Sequence, residues 1–219
     1  MYGTAVDSNV GIVFKLTPRK TGQWKESILY PFGSQEPNPA LVFDSSGNLY
    51  GTTFSGGAHG AGIVFELSLV KGKWSEKVLY DFTGGSDGSN PNAGVFFNAA
   101  GSLYGTTAYG GADGGGVVFE LTPGQNGEWT ESVIENFNYH PFSLIADASG
   151  NLYGTAGELV FELQHLKDGQ WREDVLYRFT GADAHAGPQG LVFDSAGNLY
   201  GATLAGGEYG SGTIYELTP

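Results

Sequence analysis

Tyr-Gly-Thr, or a near copy of it, recurs five times along the chain, at Tyr2, Tyr50, Tyr104, Tyr153 and Tyr200. The tyrosines are 48, 54, 49 and 47 residues apart, and other markers travel with them in fixed order. A period of this length means stacked or radial copies of one supersecondary unit. What the copies share is then scaffold, and function belongs where they differ.

Each unit holds four short apolar runs bounded by Gly, Asn or Asp, which read as strands A to D from the inner strand outward. Strand A is Leu41-Val42-Phe43-Asp44 and its copies, and strand B carries Tyr-Gly-Thr. Strand C is Val13-Phe14, Val64-Phe65, Val118-Phe119, Val160-Phe161 and Ile214-Tyr215. Strand D starts at Trp24, Trp74, Trp129 or Trp171 and alternates with a period of two. Turns such as Asp194-Ser195-Ala196-Gly197-Asn198 join A to B with hairpin chemistry.

Four antiparallel strands in about 50 residues, repeated, describe a β-propeller blade. The chain reads B-C-D, three full units, then A-B-C. The expectation is therefore one all-β domain of five blades and eighteen strands, the first and last blades incomplete. The blades fall near residues 1–32, 38–82, 91–137, 141–179 and 188–219. A piece of a longer propeller, or a swapped oligomer formed through the incomplete terminal blades, is the rival arrangement. Either way, the missing strands leave sheet edges to be covered.

The run from Gly47 to Phe82 contains Gly-Asn-Leu-Tyr-Gly-Thr-Thr, Gly-Gly, Gly-Ile-Val-Phe-Glu-Leu and Trp-x-Glu-x-Val-Leu-Tyr-x-Phe. This resembles the Gloeo/Verruco tandem repeat, and the similarity extends over nearly the whole chain. The resemblance implies a bacterial, secreted or cell-surface, β-propeller-like protein. It implies no established catalytic residues, so none is carried over.

Composition narrows the function classes. The chain has a net charge of −13 and only ten Lys and Arg, scattered along it, so nucleic acid is not an expected partner. Cysteine is absent, which removes disulfides, thiolate metal sites and thiol nucleophiles. No stretch approaches the roughly 18 apolar residues of a spanning helix. No signal peptide is visible.

Loop lengths separate the two faces of the ring. From the third residue of strand A to the strand B tyrosine is seven residues in every unit, and from the strand C aromatic to the strand D tryptophan is nine or ten. The B-C and D-A loops, on the other face, vary: Tyr-to-aromatic distances are 12, 15, 15, 8 and 15 residues. Neutral drift explains such variation, but this is also the face on which a rigid scaffold would carry a ligand.

His59, His140 and His185 fall on the variable face. Converging imidazoles would suit a divalent metal, although no short ligand spacing is present and scattered surface histidines are the plainer reading. No cofactor is expected beyond that possible metal. Carboxylates Asp87, Asp113, Asp183 and Glu208 lie on the same loops, where they would bind a ligand or simply be solvated. Tyr109, Tyr139 and Tyr209 suit stacking on sugar rings. Glu135 stands where Tyr30, Tyr80 and Tyr177 stand in the other units, and the two loops that follow are the shortest of their kind. A notch lined by Glu135, Tyr139, His140 and Glu158 is expected there, with Glu135, His140 and Glu158 as catalytic candidates. A degenerate blade is the alternative. Repeated acids such as Glu76, Glu131, Glu120 and Glu162 read as structural, bonding strand ends or a neighbouring blade. Gly-rich loops such as Ser55 to Gly60 lack the following helix and Lys of a phosphate site.

Carbohydrate recognition on the variable face follows as the leading functional expectation. Glycoside cleavage by loop carboxylates, with or without a metal, is the second. A purely structural repeat, or part of a larger surface protein, is the third.

Overall fold

The computed structural model describes residues 1–7, 10–180 and 187–219. They form five antiparallel sheets, as the repeat predicts. The first holds β1 (Tyr2–Asp7), β2 (Val10–Pro18) and β3 (Trp24–Gly33). The second runs β4 (Val42–Phe43), β5 (Leu49–Thr53), β6 (Ile63–Val70) and β7 (Lys73–Asp81). In the third, β8 (Ser89–Pro91) and β9 (Phe96–Phe97) both pair with β10 (Leu103–Tyr109), followed outward by β11 (Val117–Pro123) and β12 (Trp129–Asn136). The fourth is β13 (Pro141–Ala146), β14 (Leu152–Ala156), β15 (Leu159–His165) and β16 (Trp171–Arg178). The fifth is β17 (Pro188–Phe193), β18 (Leu199–Thr203) and β19 (Ile214–Leu217).

The described strands number nineteen rather than the eighteen expected, because the inner strand of the third sheet is in two pieces. Pro37, Pro91, Pro141 and Pro188 occupy equivalent inner positions and have no N–H to donate. The register slips by a bulge between Pro141 and Ser143 and between Gln189 and Leu191, whereas after Pro37 and Pro91 pairing lapses until β4 and β9.

The glycine of Tyr-Gly-Thr has a specific cause. It faces the strand C aromatic across the ladder: Gly51 opposite Phe65, Gly105 opposite Phe119, Gly154 opposite Phe161. Each ring lies over its glycine so closely that an added Cβ would sit 2.7, 2.5 and 2.3 Å from the ring tip. Only glycine fits under the ring. The tyrosine beside it donates its hydroxyl to an acid of the same sheet, Tyr153 to Glu162 at 2.7 Å and Tyr104 to Glu120 at 3.2 Å.

Neighbouring sheets pack face to face through one recurring pair of surfaces. One face presents the strand C valine, and the next sheet answers with leucines and the strand C aromatic. Val13 thus shares a core with Phe65 and Leu67, Val64 with Phe119 and Leu121, Val118 with Phe161 and Leu163, and Val160 with Tyr215 and Leu217. At the first three seams strand D of the following sheet adds its tryptophan, Trp74, Trp129 and Trp171 in turn, and Trp171 meets Tyr104 edge-on at 6.2 Å. Five sheets stacked in this way form a β-propeller. The A-B turns repeat one design: Asp44, Asn98, Asp147 and Asp194 each accept two backbone N–H groups through one side-chain oxygen.

Substituting Gly105→Ala should lower stability by about 1–3 kcal/mol, the usual cost of overpacking a filled core. Chemical denaturation would show it as a shifted midpoint at unchanged slope.

Candidate functional site

The shortened loops predicted to cut a notch lie at the seam between the third and fourth sheets. The B-C connection of the fourth sheet is only Gly157-Glu158, between β14 and β15. Here aromatic side chains gather. His140 sits edge-on to Tyr109, with ring centroids 4.6 Å apart, and its Nδ1 donates to the Ala108 carbonyl. Tyr139 packs over Gly157, where an added Cβ would meet the Tyr139 side chain at 2.7 Å. The Gly157 amide donates to the His140 carbonyl at 3.3 Å, joining the two short loops. Tyr109, Tyr139 and Phe142 remain 47, 58 and 42% exposed.

Phe142 was not singled out by the sequence reading, yet it interrupts a polar ladder around the inner rim. In the second sheet Asn38 Nδ2 donates to Thr52 Oγ1 at 2.8 Å and to the Pro91 carbonyl of the third sheet at 2.7 Å. In the third, Asn92 Nδ2 reaches Pro141 of the fourth at 2.7 Å, and Thr106 Oγ1 donates to Asn92 Oδ1 at 3.0 Å. Phe142 takes the asparagine's place in the fourth. Thr155, the counterpart of Thr52 and Thr106, is left with a buried hydroxyl lacking a partner among the described residues. The signal was present in the sequence as Pro37-Asn38, Pro91-Asn92 and Pro141-Phe142, but only the bonds show what the asparagine does.

The catalytic candidates divide. Glu135 turns to the outer seam, where its charge adds to burial in raising the Glu173 carboxyl above its ordinary range. One of its oxygens accepts the Asn136 amide at 3.0 Å. Glu158 lends its carbonyl to the Phe179 amide at 3.0 Å. His140 alone of the three belongs to the aromatic cluster.

Of the ligand-binding candidates, Asp87 is not free to bind. It is buried, and its oxygens accept from Thr83, Gly85 and Tyr80. Burial pushes its carboxyl up, but the Thr83 and Tyr80 hydrogen bonds outweigh it and hold it below the ordinary range. Its work is to shape its own loop. Asp113 is exposed in the third sheet's B-C loop, while Glu208 and Tyr209 are exposed in that of the fifth. Asp183 and His185 lie outside the described residues. His59 is exposed at the place in the second sheet's loop that Asp113 holds in the third. Among the described residues no group of three His, Asp or Glu is gathered closely enough to hold a metal ion.

Of the repeated strand D acids, Glu76 bonds across a seam. Tyr30 donates to Glu76 of the next sheet at 2.9 Å. At the following seam Tyr80 donates to Asp87 instead, leaving a buried Glu131 oxygen without a partner among the described residues. Burial, and then the Asp87 charge, push Glu131 up to about 7 from 4.5. The folded protein thus holds this proton more tightly than the unfolded chain, and the stability it brings is lost as pH rises from 4.5 to about 7. Away from the aromatic cluster, a cleft of about 500 Å³ opens between the fourth and fifth sheets. It is lined by Tyr153, Glu162, Leu176 and Leu217 and reaches the A-B turn at Gly197, on the face whose loops are uniform.

Solved structures share the fold at low identity. A gluconolactonase from Xanthomonas campestris aligns with a TM-score of 0.58 at 15% identity, over 99% of this chain and 71% of its own. Virginiamycin B lyase from Staphylococcus aureus aligns at 0.55 and 16%, over 99% and 69%. A Lactobacillus plantarum protein aligns at 0.66 and 13%, over 99% and 64%. The chain therefore spans about two thirds of the length of these propellers. No curated protein matches it. No described helix is long and apolar enough to cross a membrane.

Glu131→Gln should be more stable than the parent at pH 8, by on the order of 1 kcal/mol once solvent screening is allowed for. The gap should close below pH 4.5, as thermal melts at the two pH values would show. The Gloeobacter/Verrucomicrobia repeat model matches residues 1–159, and the chain belongs to that repeat family.

Proposed function

We propose that the chain is a carbohydrate-recognition propeller, acting outside the cell, whose ligand stacks on the exposed rings of Tyr109, Tyr139 and Phe142 beside His140. The supporting observation is the broken ladder. Asn38 and Asn92 tie the second sheet to the third and the third to the fourth, whereas the fourth has Phe142 at that position and leaves Thr155 unsatisfied. Local rules broken at a structural cost cluster at functional sites. Flat apolar faces with hydroxyl and imidazole groups alongside match the alternating C–H and O–H surfaces of a sugar.

Cleavage of a glycoside is the second reading. The names of two fold neighbours, a gluconolactonase and a virginiamycin B lyase, support it as examples of propellers with hydrolase or lyase chemistry. Glu135 and Glu173, a carboxylate pair at the same seam, would be its acid and base.

Glycan-array binding followed by calorimetry tests the first reading. Tyr139→Ala should weaken the best ligand about tenfold or more with an unchanged melting temperature, a loss of about 1.4 kcal/mol. Phe142→Asn should bind more weakly yet unfold at higher denaturant, by about 1 kcal/mol, because it can satisfy Thr155. A polysaccharide hydrolysis panel with Glu135→Gln separates the second reading: cleavage lost with binding retained would establish it. Absence of both binding and cleavage in the parent would defeat both.

A further inference from the structure

The seams between sheets are built alike, so a position that departs at one of them stands out against the others. Beside the strand B tyrosine, the first two seams each hold a lysine. At the first, Lys15 stands across the ladder from Tyr2, and its ammonium lies over the Tyr2 ring, 5.2 Å from the centroid. At the second, Glu66 takes that strand C position and Lys77 stands opposite it in strand D. Lys77 Nζ crosses the seam and donates to the Gly127 carbonyl, in the C-D turn of the third sheet, at 2.5 Å.

The third seam repeats this frame and leaves the lysine out. Glu120 and Ser132 hold the positions of Glu66 and Lys77. Gly169 holds that of Gly127, and in both turns the glycine amide donates to the carbonyl three residues back. A Cβ added to Gly127 would meet the Lys77 ammonium at 3.3 Å, whereas one added to Gly169 would meet nothing within 4 Å. The space left is a cleft of about 390 Å³, lined by Glu120, Ser132, Ile134, Gly169, Gln170 and Trp171. The basic residues nearby do not fill it. Arg172 is held by Asp174 and Gln164, and Lys167 of the same turn is not among the walls.

We propose that this cleft binds the primary ammonium group of a small alkylamine, in the place that a lysine side chain fills at the second seam. Glu120 keeps one carboxylate oxygen on the Tyr104 hydroxyl and supplies the charge that faces the ammonium. The Gly169 carbonyl accepts an N–H, as Gly127 does from Lys77, and Ile134 covers the alkyl stem. Trp171 offers the ammonium aromatic surface of the kind that Tyr2 offers Lys15. A net charge of −13 raises the concentration of cations around the whole molecule. The cleft lies by a C-D turn, at the strand ends opposite to the Tyr139 and His140 cluster, and is separate from the sugar site proposed there.

n-Butylammonium, which reproduces the lysine side chain, is the probe. Titrated into the full chain at pH 7 and followed by two-dimensional NMR, it should saturably shift the Trp171 indole and the Gly169 and Gln170 amides, with a Kd on the order of 1 mM. Butanol, of the same length but uncharged, should give no saturable shift. Glu120→Gln, which keeps an acceptor for Tyr104, should weaken binding about tenfold. Ser132→Lys should fill the cleft from within the chain and abolish binding; Ser132 is exposed, and thermal melts check that the variant folds. Tyr139→Ala should bind the amine as the parent does. No saturable shift at these residues in the parent, equal binding of butanol, or undiminished binding by Glu120→Gln or Ser132→Lys would each overturn the proposal.

Discussion

The aromatic ring of strand C lying on the glycine of strand B is the contact on which the rest of the structure depends. It lets a bulky ring lie flat against its own sheet, so that the ring's other side is free to fill the seam with the neighbouring sheet. Phe65, Phe119 and Phe161 are fully buried for that reason, and each sits in a core shared by two sheets. Tyrosine-to-acid hydrogen bonds brace the sheets from within, the strand D tryptophan closes the first three seams, and turns built on Asp44, Asn98, Asp147 and Asp194 hold the hairpins. The fifth sheet carries a variant of this contact. Tyr215 replaces the phenylalanine, its hydroxyl has no partner among the described residues, and burial pushes it up to about 12.

Much of this was legible in the sequence. Periodicity gives the sheets and their order, because every copy must bury the same faces. Repeated acids read correctly as structural, since Glu76, Glu120 and Glu162 each receive a tyrosine hydroxyl. The site was legible in part. Unequal loop lengths led to Tyr139 and His140, but side-chain direction is invisible in a spacing. Glu135 turns outward to Glu173, and Asp87 turns inward to its own loop. Phe142 was missed because a phenylalanine at an inner strand reads as ordinary core until its asparagine counterparts are seen bonding across sheets.

The cleft between the fourth and fifth sheets has the same origin as the rest of the architecture. Tyr153, Glu162 and Leu176 are the counterparts of Tyr104, Glu120 and Ile134, which lie against Trp171. The cleft occupies the place that a strand D tryptophan fills at other seams, and the fifth sheet has only three strands. The functional reading therefore rests on the aromatic cluster, where the sheets differ in kind, and not on the cleft.

The repeated seam also bears on how the molecule loosens. Each sheet contacts its sequence neighbours through near-equivalent seams, so opening is governed by how many seams an element belongs to. The second, third and fourth sheets each share a core with a sheet on either side. Amide protons of β6, β11 and β15 should therefore be among the last to exchange with solvent, because freeing any one of them means parting two seams.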